Sequence, residues 1–305
     1  MLMPILQIHS EDVPPYAVVC GDPARAEKIS RKLDNARELA FSREYRTFVG
    51  TYEGVKIAVV SHGVGSPGAA VCFEELIRAG VKTLIRVGTA GSYTAEYPAG
   101  SVIVSTAAVR TDGLTRQLVP EGFPAVADSG VTEALFAAAT KLSTATEADA
   151  SSMAAPRANV PRDNSYEDKR YEGGVTEIVV GAAADSVNGA AGLDQSVRPN
   201  AHTTCAVGKG ITVTLDAFFN GVEDIPHRKY KQAGALAAEM EIAALYIVST
   251  LRGVRAGAVV AIDGFADSDL AAEYDPHTSA VVAAVELEIK AALLALVTLA
   301  RNSET

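Results

Sequence analysis

Charged side chains that follow short apolar runs are the positions in this chain best placed to do chemistry. Arg86 lies within the apolar run 83–87 and is followed by Gly88-Thr89-Ala90-Gly91-Ser92. Arg25 stands just after Gly21-Asp22-Pro23-Ala24, itself preceded by the apolar run 16–20. Small residues after a strand leave backbone N–H groups open to an anion, and guanidinium groups offer paired donors to phosphate oxygens. Asp263-Gly264 closes a third apolar run, 255–262. An acid there stands at the carboxyl edge of a sheet, where open α/β folds bind ligands. Glu239 and Glu241 flank Met240. Two positions apart, they share no helix face, so either one faces solvent or a helix starts there and both point into a site.

These residues need elements to hold them. The run 56–60 reads as a strand that ends in Ser61-His62-Gly63-Val64-Gly65-Ser66-Pro67-Gly68. A helix follows with Val71, Cys72, Phe73, Leu76 and Ile77 on roughly one face, then a strand over 83–87 ending in a glycine turn over 88–92. Strand, helix, strand is a βαβ unit with a right-handed crossover. Strand 16–20 likewise enters a helix over 26–33. The stretch 41–49 alternates polar and apolar residues and turns over 50–53, a hairpin strand on which Arg43 and Arg46 are surface charges. Further strands are expected over 101–105, 211–216 and 255–262. Helices are expected over 132–142, 233–251 and 277–299, and 268–275 reads as a loop. The alternation indicates one α/β domain over residues 1–305, with a mostly parallel central sheet and helices on both faces. Residues 143–209 change character, being rich in Ala, Ser, Asn, Asp, Gly and Pro around one apolar run at 176–180, and read as an insertion.

Composition narrows the function. The 305 residues are 48% hydrophobic and carry a net charge of −10, with no concentrated basic stretch, which argues against a nucleic-acid partner. Uninterrupted apolar runs fall short of the roughly 18 residues of a membrane span. The start, Met1-Leu-Met-Pro-Ile-Leu-Gln-Ile-His9, lacks the basic lead-in of a signal peptide. Cys20, Cys72 and Cys205 show no metal-ligand spacing. A reducing, cytoplasmic setting with no metal is the expectation.

Several ordered motifs together resemble the nucleoside phosphorylase family, the branch of hexameric-type purine nucleoside phosphorylases and uridine phosphorylases. They are Gly21-Asp-Pro-x-Arg25, Ser42-Arg-Glu-Tyr45, Ser61-His-Gly-Val-Gly-Ser-Pro-Gly68 with Glu74-Glu-Leu76, Arg86-Val-Gly-Thr89, Asp216-Ala-Phe-Phe219 and Glu239-Met-Glu241. The likeness is strongest to the purine nucleoside phosphorylases of apicomplexan parasites. The resemblance implies reversible phosphorolysis of a purine nucleoside to base and ribose 1-phosphate, with inorganic phosphate as co-substrate and no cofactor. It assigns phosphate to Gly21, Arg25, Arg86 and Thr89, with Arg43 reaching a neighbouring subunit's site, so a homo-oligomer is implied, a dimer at least and up to a hexamer. It assigns ribose to Met240 and Glu241 and the base to Phe218, Gly91 and Asp263, with Asp263 the proton donor to purine N7. Arg86 and Asp263 would be the catalytic pair.

The chain also departs from the family pattern. By spacing from Gly21, the family's N-terminal ribose-contacting histidine falls on Ile5, and His9 is out of register. The insertion has no counterpart. Uridine phosphorylases of the family carry a Gln-x-Arg that reads uracil; none occurs between Asp216 and Glu239, and Asp263 ends the strand, which favours purine. Leu251-Arg-Gly-Val-Arg-Ala-Gly257 and base contacts from Gln195 or Arg198 would favour uridine. A nucleosidase using water and a non-catalytic nucleoside-binding relative are the remaining alternatives; the arginine set argues against the first.

Overall fold

The computed structural model describes residues 1–153, 205–268 and 275–303, with the side chains of 146–153 left out. In chain order the elements are β1 (Tyr16–Cys20), α1 (Pro23–Ser30), β2 (Asp34–Ser42), β3 (Tyr45–Tyr52), β4 (Val55–Ser61), α2 (Ser66–Ala79), β5 (Thr83–Ser92), β6 (Val102–Arg110), α3 (Gly113–Leu118), β7 (Ala125–Val126) and α4 (Ser129–Met153). There follow β8 (Val207–Thr214), α5 (His227–Gln232), β9 (Ala237–Glu239), α6 (Ile242–Arg252), β10 (Arg255–Phe265) and α7 (Ser279–Ser303).

The strands form one sheet. Its core, β4–β1–β5–β10, is parallel as expected, and β6–β8 and β8–β9 are parallel too. The flanks are antiparallel: β2–β3–β4 on one side, and β10–β6, β6–β7 and β5–β9 on the other. Because β9 pairs back to β5, the path β5–β10–β6–β8–β9 closes on itself. That closure brings the ends of β5, β8, β9 and β10 to one place.

Side chains alternate between two cores, as a period of two demands. Ala17 and Val19 of β1, Ala58 and Val60 of β4, and Leu84 of β5 pack with Phe73 and Leu76 of α2 and with α6. Val18 and Cys20, Ile57 and Val59, and Ile85 and Val87 pack on the opposite face with Ile29 of α1, Leu135 of α4 and Leu293 and Leu296 of α7. Helices therefore cover both faces.

Local chemistry sets where the helices begin and end. Asp22 Oδ1 accepts the Ala24 N–H at 2.8 Å and Pro23 follows, so α1 starts three residues earlier than apolar periodicity suggests and stops at Ser30. Helix α2 ends on Gly80, whose φ of +118° suits a residue without a side chain. The 41–53 stretch is two strands rather than one, turning at Arg43 (φ +57°), and β3 continues through Gly50 to Tyr52.

Two differences bear on function. The glycine-rich stretch 88–92 is not a turn: it continues β5, register-paired with Val260, Ala261, Ile262, Gly264 and Phe265 of β10. Its backbone is thus largely occupied by the sheet, and its small residues provide room instead. The helix expected over 233–251 starts only at Ile242. Gly234 takes φ +84°, Leu236 N–H bonds to Ile211 O at 2.8 Å, and Ala237–Glu239 joins the sheet between β8 and β5. Sheet pairing overrides the helix propensity of the alanines there.

The edges of the expected insertion are regular, α4 running to Met153 and β8 beginning at Val207. The run 176–180, Gln195 and Arg198 lie outside the described residues, as does most of the loop 268–275. Among the described residues no helix is long and apolar enough to cross a membrane.

Gly257 of β10 is where α4 approaches most closely: a Cβ there would meet Val131 Cγ1 at 2.5 Å and Leu135 Cδ1 at 3.1 Å. Gly257→Ala is expected to destabilise the protein by about 1–3 kcal/mol through overpacking, read as a lowered midpoint in denaturant with an unchanged slope; an unchanged midpoint would mean that α4 yields freely.

Candidate active site

The carboxyl ends of β1, β4, β5, β8, β9 and β10 surround one cavity of about 760 Å³, within the size range of small-molecule sites. Its wall includes Gly21 and Arg25, Gly63 and Val64, Arg86 to Gly91 except Val87, Phe218, Glu239 to Glu241, and Asp263 to Ala266. Of the residues expected to act, Gly21, Arg25, Arg86, Thr89, Gly91, Phe218, Met240, Glu241 and Asp263 all line it. Arg43 does not: it is exposed in the β2–β3 turn. Ile5 is partly buried and packs against the apolar core, its N–H held by Glu75.

Arg86 is only 4% exposed. Burying a guanidinium is costly unless it is paired and hydrogen-bonded. Nη2 is ion-paired to Glu241 Oε2, Nε lies 3.4 Å from Glu239 Oε2, and Nη1 lies 3.0 Å from His62 Nε2. Arginine only donates, so His62 Nε2 accepts, and its Nδ1–H donates to Gly63 O at 2.9 Å. The ring is therefore the neutral Nδ1–H tautomer. Burial, with the Arg86 charge adding to it, holds the His62 pKa well below its usual value, consistent with that form. Gly88 makes this possible, since a Cβ there would lie 2.9–3.1 Å from the Arg86 guanidinium.

The two glutamates do different work. Glu241 Oε1 accepts the Gly65 N–H at 2.6 Å, tying the β4–α2 loop to the start of α6. Glu239 accepts the N–H groups of Glu241 and Ile242 at 2.7–3.0 Å and the Thr214 hydroxyl at 2.5 Å. It satisfies the open donors at the start of α6. Burial raises it to about 7, outweighing the opposing pull of Arg86. Both carboxylates are buried at the start of the helix, the second of the two alternatives the sequence left open.

Arg25 approaches from α1, with Nη1 3.7 Å from Oε1 of Glu288 on α7. Glu288 is fully buried, and burial pushes it up to about 8. Sequence reading passed over this residue, although Val281, Ala284, Glu288, Ala292 and Ala295 follow helical spacing and an acid in such an apolar stripe is a usable signal. At another part of the wall, Phe218, 47% exposed, lies edge-to-face with Phe219 at 5.1 Å. His227, also unforeseen, lines the cavity with Nδ1 2.9 Å from the Tyr93 hydroxyl. Asp263, buried on β10, also lines the cavity. Among the described residues no cluster of three or more His, Cys, Asp or Glu could hold a metal ion.

The cavity thus joins an arginine-bearing wall to buried carboxyl groups and an aromatic side. Residues 15–157 and 179–300 match the model of the Phosphorylase superfamily. The uridine phosphorylase of Thermococcus kodakarensis is 37% identical over 252 residues, spanning 82% of this chain and 73% of that protein. The purine nucleoside phosphorylase of Plasmodium falciparum is 32% identical over 262 residues, spanning 85% and 82%. The crystal structure of the Toxoplasma gondii purine nucleoside phosphorylase superposes with a TM-score of 0.76 at 28% identity, covering 99% of this chain and 97% of that one.

The buried acids make a pH prediction. Glu239 and Glu288 are raised from 4.5, so the folded state holds protons that the unfolded state has released, and stability falls as pH rises through their folded values of about 7 and about 8. His62 has the opposite sign, its lowered pKa adding stability as pH rises to 6.5. Above that pH the acids act unopposed by it. Between pH 6.5 and 8 the melting temperature is expected to fall, with Glu288 contributing about 1–2 kcal/mol and Glu288→Gln flattening the slope; a rise over that window in the wild type would contradict the assignment.

Proposed function

The chain belongs to the phosphorylase superfamily, and we propose that within it the protein is a purine nucleoside phosphorylase, cleaving a purine nucleoside with inorganic phosphate to free base and ribose 1-phosphate. The observation that carries this reading is the single cavity lined by Arg25 and Arg86 together with Asp263 and Glu241.

Breaking the glycosidic bond builds positive charge on the sugar and negative charge on the departing base. In this reading Arg25, Arg86, Thr89 and the Gly21 backbone hold the phosphate beneath C1′, where it stabilises the first charge and supplies the nucleophile. The phosphate oxygen forms the bond to C1′ as the C1′–N9 bond breaks, and its electron pair leaves with the base. Asp263 delivers a proton to N7, which neutralises the base as it departs. Glu241 uses lone pairs left over from its bonds to Gly65 and Arg86 to accept sugar hydroxyls, and Met240 packs on the ribose. Phe218 and Gly91 bracket the base.

Arg43 would complete a neighbouring copy's phosphate site, so the working unit is a homo-oligomer, a dimer at least. Inorganic phosphate is the co-substrate and the chemistry calls for no other cofactor. Purine is supported by Asp263 at the cavity wall and by the likeness to the Toxoplasma and Plasmodium enzymes. A uridine phosphorylase is the second reading, favoured by the 37% identity to the Thermococcus protein.

Release of base from inosine, guanosine, adenosine and uridine, each with and without phosphate, separates these readings. Inosine is expected to be cleaved only with phosphate, and Asp263→Asn to lose at least about a hundredfold in rate, the usual worth of a general acid. Efficient uridine cleavage with inert inosine would move the assignment to the second reading, and cleavage without phosphate would make the protein a nucleosidase.

A further inference from the structure

Helix α7 buries one acid, Glu288, that no step above uses. Its Oε2 accepts the Ala261 N–H at 2.9 Å and the Gly88 N–H at 3.3 Å. These two groups belong to neighbouring strands, since Ala261 pairs with Thr89 and Val260 with Gly88. Strand β5 carries Arg86 and Thr89 into the cavity and β10 carries Asp263. Its other oxygen, Oε1, is buried without a hydrogen-bond partner and lies 3.7 Å from Arg25 Nη1. One side chain outside the cavity wall thus touches the strand behind Arg86, the strand behind Asp263, and Arg25 itself.

The charge state decides what such a residue can do. An ionised carboxylate there would neutralise Arg25 and repel an incoming dianion. A neutral carboxylic acid does neither. Its carbonyl oxygen accepts both backbone N–H groups, and its proton sits on Oε1, the oxygen that accepts no hydrogen bond. Complete burial favours the neutral form.

We propose that Glu288 is a positioning residue for the phosphate subsite, a neutral acid that pins the ends of β5 and β10 and sets Arg25 at the cavity wall while leaving its charge for the anion. The proposal rests on the phosphorolysis reading for the identity of that anion. Glu288→Gln keeps an acceptor for the two N–H groups and a donor beside Arg25 without charge; Glu288→Leu keeps bulk and removes both.

The test compares half-saturation by phosphate and by nucleoside in the wild type and these variants, with the rise in melting temperature on adding phosphate as a readout independent of turnover. Glu288→Gln is expected to stay within about twofold of the wild type for phosphate, while Glu288→Leu raises phosphate half-saturation about tenfold, a loss of about 1.4 kcal/mol, with nucleoside half-saturation little changed. If Glu288→Leu does not fold, Glu288→Asp, one methylene too short to reach both strands and Arg25, takes its place with the same expectation. Equal phosphate binding by the wild type and the Leu or Asp variant overturns the role of Glu288 alone, as does a Gln variant as impaired as the Leu variant. A wild type that neither binds nor needs phosphate overturns the phosphorolysis reading itself.

Discussion

The burial of one guanidinium group governs much of this molecule. Arg86 cannot be taken from water without partners, and its partners come from distant parts of the chain: His62 at the end of β4, Glu239 on β9 and Glu241 at the start of α6. Each brings a further requirement. His62 must be neutral to accept from Arg86, so its other nitrogen is committed to Gly63. Glu239 must stay on the short strand β9, where it also receives the first N–H groups of α6. Gly88 must lack a side chain. In the low dielectric of the interior such contacts are strong when complete and costly when partial, so the cluster ties the ends of β4, β5 and β9 to the start of α6 with little freedom.

The closed path of strands makes that cluster possible. An open sheet in simple sequential order would leave β9 far from β5. Pairing β9 between β8 and β5 returns the chain to the carboxyl end of β5 just before α6 begins. The cavity is therefore bounded by strand ends on several sides rather than by loops alone. A phosphate there would meet guanidinium groups fixed by β5 and α1, and a nucleoside would lie between β9–α6 and the end of β10.

Much of this was legible in the sequence because charge beside glycine at a strand end is a strong local signal. Arg25, Arg86 and Asp263 stood out on that ground, and the alternation of apolar runs gave the α/β class and the parallel core. The failures are equally physical. Gly88 to Ser92 looks like a turn by composition, yet its glycines serve close approach: Gly88 to the Arg86 guanidinium and Gly91 to Ala266. The alanines of β9 read as helix because their strand pairing comes from β5 and β8, far away in sequence. Glu288 was not singled out: its place in an apolar helical stripe marks it as buried, but its two backbone partners lie about 200 and 27 residues away, so what it holds is not legible locally.

The strict alternation of β1, β4 and β5 between two unlike layers has a consequence for the length of the chain. One residue gained or lost in β5 ahead of Arg86 would turn that side chain to the opposite surface of the sheet, among Val18, Val59 and Leu296 and away from His62, Glu239 and Glu241 that hold it, and would exchange Leu84 with Ile85 in the same stroke. Changes of length are tolerable in surface connections between elements. Inside β5 they are not, because there the spacing of residues along the backbone is itself what decides which side of the molecule receives a positive charge.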